Sequence, residues 1–322
     1  MRIAITGSTG FIGGYLTRAL SAAGHDLRLL VRPGREDAAP AVEGSTPELF
    51  VGDLAEAGSL EGFLEDCSLL IHLASAHDHF PDDLMRAINI DGTEALLAEA
   101  ARCGYDGNHE FELWVVSSAV IGAPVYSYYR DTKRIQEKLI RGSGINWTSF
   151  RPTLVYGAGD MRHTASLLRQ CAQEKGKILV PHDGKSKINP VHVEDVVDAV
   201  MRFFDYDRGV DCCYELAGPA GLPYNEFLDS TIGAVGGVLA NLAFPLLIIG
   251  GLALLQRRGG GMGGPGGMNP MDLGKSKSKI QMEPQTGVGF EDVAGCEASK
   301  QVRPAQFGLL PRNSAAQFRA LL

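Results

Sequence analysis

Residues 6–13 read Thr-Gly-Ser-Thr-Gly-Phe-Ile-Gly and follow directly on the apolar run Ile3, Ala4, Ile5. This ordering constrains the fold more than any other feature of the chain. A strand that breaks into closely spaced glycines and then enters a helix sets bare backbone N–H groups and a helix N-terminus against a pyrophosphate, where a Cβ would obstruct the approach. The turn therefore predicts a dinucleotide site built from Gly7, Thr9, Gly10, Phe11, Ile12 and Gly13. The helix after it carries Phe11, Ile12, Tyr15, Leu16, Leu20 and Ala23 at helical spacing and is expected to stop at Gly24.

The following strand ends extend the cofactor reading. Residues 27–31 form a second apolar strand that ends in Arg32, with Arg35 close behind, where an acidic residue would hold the adenosine ribose hydroxyls. A guanidinium there suits a 2′-phosphate, which favours NADP over NAD; an ordinary solvated arginine pair is the alternative. The run 49–51 gives way to Gly52, Asp53 and Leu54, and Asp53 either accepts from the adenine amino group or is a solvated loop aspartate. The strand 69–73 runs into Ala74, Ser75 and Ala76, small residues that let a cofactor lie close. His72, flanked by apolar residues, reads as a satisfied core histidine.

Candidate catalytic groups come later. Residues 114–118 read Trp-Val-Val-Ser-Ser, and 129–133 read Tyr-Arg-Asp-Thr-Lys. Tyrosine and lysine four apart on a helix share a face, so the ammonium can stand near the phenol and a ribose together. Bringing a phenol from pKa about 10 to near 7 takes about 4 kcal/mol, which Lys⁺ and an oxidised nicotinamide can supply in a desolvated cleft. Tyr129 would then exchange a proton with a substrate oxygen while hydride moves to or from nicotinamide. Ser117 would orient that oxygen, with Ser118 the alternative if the register slips by one.

Composition sets the outer bounds. The 322 residues, 45% hydrophobic, suffice for one large or two smaller domains. A formal charge of −8 argues against nucleic acid as a partner, and the six cysteines show no metal-ligand spacing, so no metal is expected. They read as reduced packing residues of a cytosol-like compartment.

These motifs together resemble the short-chain dehydrogenase/reductase superfamily in its extended or atypical branch, over residues 1–229. The resemblance rests on TGSTGFIG, VRPG, GDL, IHLAS, NIDGTEALL, VVSSAVIG, YRDTK, FRPTLVYGAGD and INPVHVEDVV in that order. The later segments are most similar to sugar epimerase/dehydratase relatives and to the NADPH-binding accessory subunit of respiratory complex I. The resemblance implies a Rossmann, doubly wound parallel α/β sheet, the stated roles for Ser117, Tyr129 and Lys133, and nicotinamide contacts near Arg151, Pro152 and Thr153. It also implies a small-molecule substrate held by a C-terminal lobe, which is cut short after residues 224–228. Lys187, Ile188, Asn189 and Pro190 stand where many nucleotide-sugar members carry an arginine, which counts against a sugar diphosphate substrate.

Near residue 229 the character changes. Residues 231–255 contain no charge and would extend about 38 Å as a helix, enough to cross a bilayer. Gly233 and Gly237 form a small-xxx-small pair suited to helix pairing. A Gly/Lys-rich linker, expected to be disordered, follows over 256–289, and 290–322 begins GFEDVAG. Residues 241–301 resemble the second transmembrane helix, hinge and first AAA residues of an FtsH-type thylakoid membrane protease, implying a single-pass membrane location and FtsH-like subunits as possible helix partners. The sequence has no GxxxxGK[ST] loop and no HExxH helix, so this stretch carries neither that family's phosphate chemistry nor its zinc chemistry. Arg257, Arg258 and the lysines beyond would stay on the cytosolic or stromal side, which would place a single-span Rossmann domain across the membrane from its cofactor. Either the span does not insert in that sense, or the chain fuses two genes, naturally or by faulty assembly. The favoured expectation is a fusion of an NADP-dependent oxidoreductase or epimerase-type enzyme to an inactive membrane segment, the alternatives being an NADPH-binding scaffold without turnover and a truncated FtsH-type protease subunit.

Overall fold

Strand β1 (Arg2–Thr6) is an interior strand of a seven-stranded sheet, all of whose neighbouring strands pair in parallel. Its companions are β2 (Asp26–Val31), β3 (Glu48–Val51), β4 (Leu69–His72), β5 (Glu112–Val116), β6 (Asn146–Pro152) and β10 (Cys212–Leu216), in the order β10-β6-β5-β4-β1-β2-β3. This computed structural model describes residues 1–230 except 45, 106, 108–109, 125, 162–165, 167–168, 170–183 and 206–209. The expected membrane span, the Gly/Lys-rich linker and the 290–322 segment lie outside the described residues. Among the described residues no helix is long and apolar enough to cross a membrane.

A parallel sheet covered on both faces needs strands that are apolar on both sides, which is why these strands read as continuous hydrophobic runs. Ile3, Ile5, Leu27, Leu29, Leu69, Ile71, Trp114 and Phe150 pack on one face with Leu16 and Leu20 of α1 (Phe11–Ala22). Ala4, Leu30, Leu70, Leu113 and Val115 pack on the other. There they meet Leu96 and Ala100 of α3 (Gly92–Arg102) and Ile140 of α4 (Tyr128–Arg141). Helix α2 (Asp82–Arg86) runs through a π-helical turn, Ala87–Asp91, into α3. Gly24, at φ +80°, closes α1 as its sequence position predicts.

Charged residues enter this interior too, Arg28 among them. Arg28 on β2 is buried, and its guanidinium donates to the carbonyls of Gly62 (2.9 Å), Phe63 (3.1 Å) and Glu65 (2.9 Å) and to the Glu48 carboxylate (3.0 Å). A buried guanidinium is tolerated only when its donors find acceptors, and here Glu48 meets Nε while the three carbonyls share the Nη1 hydrogens.

The chain beyond β6 builds a smaller lobe from β7 (Val155–Tyr156) paired with β9 (Val191–His192), and β8 (Lys187–Ile188) paired antiparallel with β11 (Leu222–Pro223). Helix α5 (Val193–Arg202) follows β9 and packs beside α1. Val155, Val191, Val193 and Val196 form a local core against Phe11, Ile12 and Tyr15 at the mouth of α1. The lobe is thus seated where the glycine turn opens.

Candidate active site

In an open parallel sheet, ligands bind beyond the carboxyl ends of the strands at the point where the strand order reverses. Here that point lies between β1 and β4. Gly7, at φ +75°, makes the turn, and a Cβ on it would stand 2.6 Å from the backbone nitrogen of Ala74. The Gly10 N–H donates to the Gly7 carbonyl at 3.0 Å, tightening the loop. No side chain caps α1, and its first turn holds no acidic residue. Its mouth therefore presents positive partial charge and uncovered backbone, the environment a pyrophosphate requires.

The predicted cofactor residues contribute in different ways. Thr9 and Gly10 are exposed at the turn, whereas the side chains of Phe11 and Ile12 pack on the small lobe, leaving only their backbone to face a ligand. Arg32 is exposed just past β2. The Asp53 carboxylate accepts from the Ala55 N–H at 3.0 Å, a local turn, and the Leu54 side chain is buried in the core. Ala74 and Ser75 follow β4, with Ala74 N–H on Thr6 Oγ1 at 3.2 Å. Pro152 is buried as the last residue of β6.

Asn89 lies in the NIDGTEALL motif, but its role escapes sequence reasoning. Fully buried, it accepts from Ala76 N–H (2.8 Å) and Ser75 Oγ (3.2 Å) and donates to Ala76 C=O (2.8 Å) and Thr132 Oγ1 (3.0 Å). One amide thus ties the end of β4 to α4.

Helix α4 carries Tyr129 and Lys133, both buried, and Ser117 follows β5. Lys133 Nζ donates to the carbonyl of Val116 at 3.3 Å, which sets the ammonium beside the residue preceding Ser117. Its second acceptor is Gln136 Oε1. Burial lowers the Lys133 pKa to about 8, with the Glu137 carboxylate opposing the fall. Ser117 Oγ is buried without a regular hydrogen bond, whereas the Ser118 hydroxyl caps the turn Ala119–Gly122 by accepting from Val120 N–H at 3.3 Å. Of the two serines, Ser117 makes no regular hydrogen bond, its Oγ lying only near enough to the Glu137 carboxylate to help hold that group ionised. The Tyr129 ring stacks on His77, with centroids 4.7 Å apart, and the next residue, Asp78, accepts from Ser127 Oγ at 2.9 Å at the head of α4.

A buried ion cluster supports α4 from behind. Glu137 accepts from Ser149 Oγ (2.9 Å) and from Arg151 through Nε (2.9 Å) and Nη2 (2.6 Å), and Arg141 Nη2 adds a fourth bond at 2.8 Å. Burial pushes the Glu137 pKa up, but the hydrogen bonds and charge of Arg151, helped by the nearby Ser117 and Ser149 hydroxyls, outweigh it and bring it down to about 2. The Arg151 guanidinium is thereby committed to Glu137. Thr153 Oγ1 is bonded to the Asn189 and Leu216 carbonyls. Spacing gives one hint of the cluster, since Lys133, Glu137 and Arg141 are each four apart. His72 is buried as the sequence suggests; burial first and the Lys133 charge second lower its pKa to about 3. Among the described residues no cluster could hold a metal ion.

A parallel Rossmann sheet with a glycine turn at its switch point is the architecture of a nicotinamide-dependent enzyme of the epimerase, dehydratase or reductase type. The chain belongs to the NAD dependent epimerase/dehydratase family, whose sequence pattern matches residues 3–212. Ceramide reductase of Caulobacter vibrioides is 32% identical over 201 residues, covering 62% of this chain and 60% of that protein. In fold the chain is similar to a UDP-glucose 4-epimerase of Thermotoga maritima solved with UDP-glucose (TM-score 0.58, 18% identity, 73% of this chain and 83% of that one). It is equally similar to Bordetella bronchiseptica WbmH in complex with NAD+ (TM-score 0.61, 19% identity, 73% and 81%). A separate 66-residue match, 58% identical, is to the ATP-dependent zinc metalloprotease FTSH 2, chloroplastic, of Oryza sativa subsp. japonica, covering 20% of this chain and 10% of the protease. The corresponding Arabidopsis thaliana protein is 65% identical over 66 residues. The chain therefore spans three-fifths of the reductase and a tenth of the proteases.

Proposed function

We propose that residues 1–229 are an NADP-dependent carbonyl reductase of the short-chain type, with Tyr129 as the proton donor, Lys133 as its charge partner and Ser117 as the hydroxyl that orients the substrate oxygen. The observation that carries this reading is the buried Ser117 Oγ without a regular bond, beside a Lys133 ammonium anchored on the preceding carbonyl. A hydroxyl that makes no regular bond in a dry site is poorly satisfied, which favours a ligand that bonds it.

The glycine turn and the mouth of α1 would hold the coenzyme pyrophosphate, and Arg32 with Arg35 would meet a 2′-phosphate. The coenzyme, when bound, supplies the hydride. The protein's own part is to fix the carbonyl oxygen by Ser117 O–H, deliver the phenolic proton from Tyr129 to that oxygen, and lower the phenol's pKa with the Lys133 charge. His77, stacked on the phenol ring, limits its rotation. Reduction is favoured over sugar epimerisation by the 32% identity with a ceramide reductase and by Lys187 in place of an arginine.

The 66-residue FtsH-like match supports a second proposal, that the chain carries a membrane anchor over 231–255 that pairs with FtsH-like helices at a plastid membrane. The test of the enzyme is direct. The full chain should bind NADPH at least tenfold more tightly than NADH, and should oxidise NADPH at 340 nm with at least one member of a long-chain ketone panel. Tyr129→Phe should retain NADPH binding and lose that turnover. Equal turnover by the phenylalanine variant would remove Tyr129 from the acid/base role.

A further inference from the structure

From Lys133 a row of buried polar groups runs back behind α4, and all of them but Lys133 itself stand outside the proposed chemistry. Thr6, His72, Thr93, Lys133 and Gln136 are each at most 1% exposed. Their hydrogen bonds run from Lys133 Nζ to Gln136 Oε1, from Gln136 Nε2 to His72 Nε2 (3.0 Å) and Thr93 Oγ1 (3.0 Å), and between His72 Nδ1 and Thr6 Oγ1 (2.6 Å). Thr6 Oγ1 in turn accepts the N–H of Ala74, the residue against which the Gly7 turn closes.

Donor and acceptor chemistry fixes the direction of the bonds that run from Lys133 to Thr6. An ammonium has donors only, so the Gln136 oxygen must face Lys133 and its NH₂ must face His72. The His72 Nε2 is then an acceptor, and a neutral imidazole with Nε2 bare carries its proton on Nδ1. That proton goes to Thr6 Oγ1. Thr93 Oγ1 lies 2.9 Å from the Asn89 carbonyl and 3.3 Å from His72 Nε2; its one hydrogen goes to either acceptor, the carbonyl being the shorter contact, and in both cases it accepts from Gln136. The reverse assignment would set two donors against each other at Lys133.

We infer that Gln136 and His72 are positioning residues: a one-way hydrogen-bond chain from Lys133 through Gln136 and His72 to Thr6 holds the ammonium in register with the coenzyme turn. This rests on the proposed role of Lys133 beside Tyr129. The ionisable groups facing Lys133 are Tyr129 and Glu137 on its own helix and His72 from β4. His72 stays neutral through the physiological range because burial and the nearby ammonium hold its pKa at about 3. A neutral, single-tautomer imidazole is what lets the row act as a fixed strut. Were Gln136 apolar, the ammonium would keep only the Val116 carbonyl among these contacts, and its charge would be less well held beside the phenol.

Two measurements on the full chain test the inference. In ¹⁵N-histidine NMR, His72 should be the Nδ1–H tautomer, and Gln136→Glu should convert it to Nε2–H, because a carboxylate facing His72 must accept. A wild-type Nε2–H tautomer, or no change in the glutamate variant, overturns the chain; neither readout depends on turnover. The second measurement is the Tyr129 titration, read as the 295 nm difference between each protein and its Tyr129→Phe counterpart. Gln136→Leu should raise the phenol pKa by about one unit, as Lys133→Met should. If Lys133→Met raises it and Gln136→Leu does not, Gln136 has no positioning role and the Tyr129–Lys133 pairing stands. If neither moves it, both readings fall. Should the leucine variant fail to fold, the tautomers of wild type and Gln136→Glu decide alone.

Discussion

The β-carbon position of Gly13 lies 2.1 Å from the carbonyl oxygen of Gly7, so the first turn of α1 and the end of β1 meet through backbone alone. Any side chain at Gly13 must push the helix off the strand. Gly13→Ala is expected to lower stability by roughly 1–3 kcal/mol and to abolish NADPH binding, read by thermal melts and fluorescence titration. Gly14, one residue on, offers the contrast: its added Cβ meets nothing closer than 3.8 Å. Gly14→Ala should raise stability by about 0.5–1 kcal/mol through helix propensity.

Glu137 is expected to govern acid sensitivity. Its folded pKa of about 2 lies below the usual 4.5, so its contribution is complete above 4.5 and lost as pH falls through 2. A shift of that size corresponds to stabilisation on the order of 3 kcal/mol. Urea denaturation at pH 7 should find Glu137→Gln weaker by about that amount, and the gap to wild type should close as the pH is lowered from 4.5 to 2.

Arg32→Glu should reverse coenzyme preference. A carboxylate at the end of β2 repels a 2′-phosphate and accepts from a ribose hydroxyl. NADPH affinity should fall at least tenfold while NADH affinity holds or rises, measured by nicotinamide fluorescence. Unchanged affinities for both would place the 2′-phosphate elsewhere.

Asn89→Ala should cost roughly 2–3 kcal/mol, because it strands the Ala76 N–H and C=O that the buried amide satisfies. The end of β4 should loosen with it. Hydrogen exchange at Ala76 is expected to rise severalfold more than at residues of β2, and NADPH binding to weaken in parallel.

Local signals made much of this architecture legible. The glycine turn, the apolar runs and the alternation of strand and helix are all short-range patterns, and they give the parallel sheet without tertiary information. Spacing also puts Tyr129 and Lys133 on one face of a helix, where both are buried. What the pattern could not reveal depends on partners distant in sequence. Asn89 meets Thr132 across 43 residues, Gln136 meets His72 across 64, and Glu137 meets Arg151 from another element. An Asn or a Gln inside a helix gives no local sign of whether it faces water or a buried partner. Asp53 shows the same ambiguity, since a carboxylate at a strand end serves an Asx turn as readily as a ligand.

The clasp around Arg28 bears on how this chain can vary. Its three carbonyl acceptors are main-chain atoms of residues 62, 63 and 65, indifferent to which side chains those positions carry. Sequence drift there is cheap, whereas inserting or deleting a residue would pull an oxygen away from a cation that has no water to replace it. The segment leading into β4 is therefore free in spelling and fixed in length, and that length keeps Ala74 in step with the glycine turn.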